Sequence, residues 1–156
     1  MLQVDLRELG RGPVETRGEL PADSPAFHGL DIQLEGPVQV EGRLQDTGNG
    51  EYFWRGRISG TAQAPCRRCL AEVHYPFDVE ASALYSSDPD AADNPEVQPL
   101  PATATQIDLT EAVREEVALA VPPFLLCREE CAGLCPTCGA DLNAGPCGCT
   151  PPAEPV

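Results

Sequence analysis

Eight cysteines carry most of the chemistry available to this 156-residue chain. They fall as C-x-x-C at Cys66 and Cys69, C-x-x-x-C at Cys127 and Cys131, C-x-x-C at Cys135 and Cys138, and C-x-C at Cys147 and Cys149. Eight thiolates suffice for two tetrahedral sites, and Zn2+ is the expected ion for both. A two-residue gap suits zinc because the intervening turn brings both sulfurs to one ion while its amides point at them and spread their charge. Pro136 stiffens one such turn, and Gly139 supplies the positive φ that returns the chain. The C-x-C pair has a single spacer, and Gly148 is what makes its geometry feasible.

Loop length favours one pairing of the four groups. Cys135 and Cys138 with Cys147 and Cys149 close a short loop, whereas Cys66 and Cys69 must be completed from far along the chain. Cys127 and Cys131 are the natural completion. Joining Cys66 and Cys69 to Cys135 and Cys138, as a ribbon with a long insertion, is the alternative. His74 is a possible substitute ligand near the first group. Redox chemistry is the competing use of the thiols, but a thioredoxin-type C-x-x-C follows a strand and opens a helix, and neither group here has that setting.

Around the first group, Arg67 and Arg68 can offset thiolate charge or grip a phosphate, which makes them the RNA-contact candidates. Elsewhere the chain is poor in cations: Lys plus Arg total 10, all of them Arg, against 25 acidic residues, for a net charge of −15. That balance opposes broad polyanion binding and an anionic membrane surface. Two His and a low aromatic content leave no acid, base and nucleophile set, so no enzyme and no small-molecule substrate is expected. The first ten residues lack the basic flank and apolar stretch of a signal peptide, and a thiol-rich chain without an export signal fits the cytoplasm.

Positioning these cysteines requires a sheet. Leu30 to Leu34 and Val38 to Gln45 alternate apolar with polar residues, with Gly36-Pro37 as a break between them. A turn centred on Gly48 sets Leu44 opposite Tyr52, Gly42 opposite Trp54 and Val38 opposite Ile58. Folding about Cys66–Cys69 then sets Ile58 opposite Phe77, Gly60 opposite Tyr75 and Ala62 opposite Val73. In these registers Arg55 lies opposite Glu41 and Glu80, and Arg57 opposite Asp78. Of the clustered Arg55, Arg57, Arg67 and Arg68, only Arg67 and Arg68 then stay free of carboxylates. One or two edge strands are expected before Ala26, and the acidic, Pro-rich stretch 86–106 reads as a mobile loop. Asp108 as N-cap with Glu111 three residues on starts a helix that ends at Pro122. It should cover the apolar sheet face. The expected fold is α+β: an antiparallel β-meander packed by one main helix, with cysteine zinc knuckles at a hairpin tip and near the C-terminus. Residues 1–131 form the domain, 132–149 a zinc-knuckle appendage and 150–156 a disordered tail.

The run Cys131-Ala132-Gly133-Leu134-Cys135-Pro136-Thr137-Cys138-Gly139-Ala140-Asp141-Leu142-Asn143 to Cys147-Gly148-Cys149, with Cys66-Arg67-Arg68-Cys69-Leu70 and Leu119-Ala120-Val121-Pro122, resembles the YceD family of large ribosomal RNA subunit accumulation proteins. The resemblance implies that Cys66, Cys69, Cys127 and Cys131 share one site. It also implies a non-catalytic cytoplasmic factor whose partner is a ribosomal RNA precursor or a large-subunit ribosomal protein. A zinc-dependent thiol redox sensor is the other function this thiol density would serve.

Overall fold

The computed structural model describes residues 2–149; the tail assigned to 150–156 lies outside them. Strands β4 (Val38–Gly48), β5 (Glu51–Pro65) and β6 (Glu72–Ser86) form the expected antiparallel meander. The N-terminal segment adds β1 (Gln3–Asp5), the one-turn helix α1 (Leu6–Leu9) and β2 (Val14–Leu20), which lies along the outer side of β4. Short β3 (Gln33–Leu34) pairs with β5 just beyond the Gly36-Pro37 break. The stretch 86–106 holds more structure than its composition suggests: β7 (Val97–Pro99) runs parallel to β6, with Val97 buried beside Leu84. The sheet is therefore mixed, which corrects the purely antiparallel expectation. A strand of three residues carries too short a pattern to register as periodicity.

Both hairpin registers sit two residues from the expected ones. Leu44 faces Trp54 and Val40 faces Ile58 because the turn is Asn49-Gly50, with φ of 57° and 74°, not a turn centred on Gly48. Two consecutive positive φ values define the type I′ hairpin, whose twist matches that of the flanking strands. The extra residue, Thr47, forms a bulge. At the next hairpin Ile58 faces Val79, Gly60 faces Phe77 and Ala62 faces Tyr75, since the ladder closes at Pro65 and Glu72. A slip of two preserves which face each side chain takes, so the apolar face is the one expected. The ion pairs survive along diagonals. Arg57 meets Asp78 at 2.9 Å and Arg55 meets Glu80 at 3.8 Å, although Arg55 stands directly opposite Arg43 and not Glu41.

Trp54 is the centre of the core. Its indole lies over the facing glycines Gly42 and Gly56, where an added Cβ would come within 2.6 and 2.5 Å of the ring. Its buried Nε1 donates to Thr16 Oγ1 at 2.9 Å, which satisfies the one polar atom of the ring. Strand β8 (Gln106–Asp108) pairs with β1 and leads into helix α2 (Thr110–Ala120). Asp108 accepts from the Thr110 N–H at 2.9 Å, but it ends the strand, and the cap position itself falls on Leu109. Ala112, Val113 and Val117 bury against the sheet with Ile107 and Leu109, closing the apolar face as expected. Pro122 and Pro123 then stop the helix and direct the chain toward the β5–β6 tip.

Candidate metal centres

The same turn is built twice. At the β5–β6 tip, Cys66 N–H donates to Ala71 O at 2.7 Å and Leu70 N–H to Cys66 O at 2.9 Å. At the second knuckle, Cys135 N–H donates to Ala140 O at 2.8 Å and Gly139 N–H to Cys135 O at 2.9 Å. Each turn needs a left-handed residue after its second cysteine. Gly139 provides it at φ 77°, and Leu70 provides it at φ 65°, a conformation a side chain adopts only at a cost.

Two cysteine quartets result: Cys66, Cys69, Cys127 and Cys131; and Cys135, Cys138, Cys147 and Cys149, the sulfurs within each lying no more than 4.8 Å apart. This is the pairing favoured by loop length, not the cross arrangement. Cys66 Sγ is 3.7 Å from Cys131 Sγ, and Cys69 Sγ is 3.6 Å from Cys127 Sγ. Such gaps are far too long for disulfides, which need about 2.05 Å. They match the edge of about 3.8 Å of a tetrahedron whose centre is about 2.3 Å from each sulfur. Each quartet can therefore hold a metal ion. Gly148, at φ 83°, gives the C-x-C pair the bend it requires.

The thiols of the first quartet are divided in their acidity. Cys66 is lowered to about 6 by the Cys69 backbone N–H, against its burial, and Cys131 is lowered first by the Asn143 side chain. Cys127 is pushed up to about 12 by its hydrogen bond to Cys69, by partial desolvation of its sulfur and by the Cys131 and Cys66 sulfurs. At Cys69 the Ala71 amide pulls down, but burial and the Cys66 and Cys131 sulfurs outweigh it. The second quartet repeats the division: the Cys138 and Thr137 amides lower Cys135 to about 6, while Cys138 and Cys147 raise Cys149 to about 11. Four like charges cannot share so small a space alone, and a divalent cation removes that conflict.

Neither arginine of the first knuckle is idle. Arg68 Nη1 donates to the carbonyls of Glu129 and Cys131 at 3.3 and 3.1 Å, lacing the loop of the distant cysteines to the tip. Arg67 N–H donates to Leu125 O at 2.9 Å, and its guanidinium lies 3.5 Å from the centre of the exposed Phe124 ring. Neither arginine has an ion pair among the described residues, in line with the expectation, but neither is unpartnered, because the chain leaving α2 offers Arg67 a ring and Arg68 two carbonyls. His74 does not approach the cysteines; its Nδ1 pairs with Glu35 and its Nε2 faces Glu72 at 3.9 Å, all three exposed.

Asn143 is the residue sequence reasoning missed. It lies in the loop of the second knuckle, yet its Nδ2 donates to Cys131 Sγ of the first quartet at 3.4 Å while its Oδ1 accepts from Ala132 N–H at 2.9 Å. Asp141 holds it in place by accepting its N–H at 2.9 Å. The only sequence signal was the Asp141-Leu142-Asn143 triplet, whose Asp caps the short 3-10 turn Leu142–Ala144.

A mixed sheet covered by one helix and carrying two metal-capable cysteine quartets defines a protein fastened through thiols. The family model described as "Large ribosomal RNA subunit accumulation protein YceD" matches residues 54–155, and the chain belongs to that family. It is 30% identical to an uncharacterised protein of Mycobacterium tuberculosis, over 93% of this chain and 72% of that one. A protein of Bacillus subtilis, YlbN, is 32% identical over 64% of this chain and 57% of its own length. A Zea mays protein named "Large ribosomal RNA subunit accumulation protein YCED homolog 1, chloroplastic" is 38% identical over 33% of this chain and 18% of its own length. No solved structure matches the chain.

Proposed function

We propose that this chain is a non-catalytic, zinc-stabilised factor that supports accumulation of large-subunit ribosomal RNA. Membership of the YceD family is the observation that carries this reading. The cysteines support a zinc-stabilised factor, because each quartet gathers four sulfurs closely enough to share one ion. On this reading all eight cysteines serve as zinc ligands in the cytoplasm, a reducing compartment that keeps thiolates available to a metal. Residues 1–131 act as the body, and 132–149 as an appendage that reaches back to it through Asn143. A phosphate contact at the first knuckle falls to Arg67, since Arg68 is held by carbonyls.

The test is twofold. Elemental analysis of protein purified without chelator gives two zinc ions per chain, and expression in a deletion strain restores large-subunit ribosomal RNA. One zinc or none would reject the paired sites; unrestored RNA would reject the function. A zinc-dependent redox sensor is favoured by one observation, the exposure of Cys127 and Cys138. Peroxide, reduced to water, would then join two thiolates as a disulfide and release the ion. Retention of both ions under mild peroxide eliminates that reading.

A further inference from the structure

A groove of about 570 Å³ opens between α2 and the β5–β6–β7 part of the sheet. Phe53, Leu84 and Leu119 give it an apolar lining, and Glu96, Glu115 and Glu116 stand around it. Leu119 is 80% exposed although it sits on the helix that closes the core. Burial and the adjacent Glu115 raise the pKa of Glu116, as happens when carboxylates crowd without a cation. Gln98 Nε2 donates to Glu115 Oε2 at 3.0 Å and fixes the direction of that carboxylate.

Cations are kept away from this groove. Between Arg68 and Arg114 the sequence has no Arg or Lys, while Asp88, Asp90 and Asp93 precede the stretch whose Pro95, Glu96 and Gln98 line the groove. Arg114, on the same helix, is turned aside to the carbonyls of Ala26 and His28, each at 2.7 Å. Arg55, next along β5, is occupied by Glu80 at 3.8 Å.

We propose that this groove docks a Lys/Arg-rich segment of a basic protein, an apolar anchor side chain filling the space beside Leu119 while its cationic neighbours meet Glu96, Glu115 and Glu116. An apolar centre inside a charged rim is the usual build of a protein interface, and complementary charge speeds and orients the encounter. At a net charge of −15, RNA and a second copy of the chain are both repelled from an acidic rim. The inference rests on the function proposed above and names its partner class: a basic protein of the large subunit, through which an acidic factor reaches the RNA.

The experiment uses the full, zinc-loaded chain and a labelled peptide of alternating Lys and Leu, followed by fluorescence anisotropy. Leu119→Ser, and separately Glu96→Gln with Glu116→Gln, each weaken binding by about tenfold, as loss of a central contact does. Glu15→Gln with Glu19→Gln, removing the same charge from the exposed far edge on β2, leaves it within about twofold, and a Lys/Ser peptide of equal charge binds far more weakly. Equal losses at the groove and on β2 would overturn the proposal in favour of diffuse attraction. So would a ribosomal RNA fragment whose binding Leu119→Ser abolishes, or a dimer that the same change dissolves. In the deletion strain, a Leu119→Ser chain that keeps its zinc but fails to restore ribosomal RNA supports the proposal. Full restoration by that variant overturns it and leaves the family function standing, whereas failure of the unaltered chain strikes the function itself.

Discussion

The two cysteine knuckles share a backbone and differ in what they hold together. The first joins a hairpin tip to the segment beyond the core helix, its sulfurs meeting across 58 and 65 residues of chain. The second closes entirely within residues 135–149. Its body is buried less deeply: Cys66, Cys69 and Cys131 are buried in the first quartet, but only Cys135 in the second. A local turn therefore specifies where a metal can sit, and the length of chain that the metal closes decides how much of the fold depends on it.

Cys69→Ser gives the largest effect. Structural zinc in small domains contributes about 10–16 kcal/mol of apparent binding energy, comparable to a domain's whole stability of about 5–15 kcal/mol. Cooperative unfolding should vanish and the far-UV strand signal fall sharply. Cys138→Ser comes next and is local: hydrogen exchange protection is lost over residues 132–149 and kept in β4, β5 and β6. Equal loss of strand signal in the two variants would break the comparison.

Asn143→Leu tests the link between the knuckles. It removes the donor to Cys131 Sγ without touching a cysteine, and loss of a partner of this kind lowers metal affinity about 10–100-fold. Competition with a chromophoric chelator should show one weakened ion, and Cys138→Ser, which frees the loop carrying Asn143, should weaken the one ion it retains to a similar extent. The smallest effect separates the two turns themselves. Gly139→Leu places a side chain in the left-handed region and costs about 1–2 kcal/mol, whereas Leu70→Gly relieves that strain and gains up to about 1 kcal/mol. Thermal unfolding of both variants with zinc bound checks the signs, and a loss at Leu70→Gly would show that its exposed side chain has a contact of its own to keep.

Much of the layout was legible because alternation and spacing are local signals. Val38, Val40, Leu44, Trp54 and Ile58 announce their face by period two, and no slip of two residues disturbs it. The register departs from a turn centred on Gly48 because Gly48, itself at φ 94°, pairs with Glu51, and the two-residue turn is Asn49-Gly50. Strand β7 carries no legible signal since three residues ending in a proline have no period, and its partner, β6, is chosen by tertiary packing.

From the sequence alone came the thiol count, the spacing of both knuckles, the face each strand turns to the core and the acidic balance that opposes broad RNA binding. These follow from residue types at fixed separations, which any chain conformation must respect. Which quartets form, that Asn143 of one knuckle serves a sulfur of the other, that Arg68 is held by the carbonyls of Glu129 and Cys131, and that Leu119 stays uncovered were decided by the tertiary structure. Each depends on where α2 and the chain after it pack against the sheet, and that placement is set by the burial of Val113, Val117 and Ile107 against partners distant in sequence.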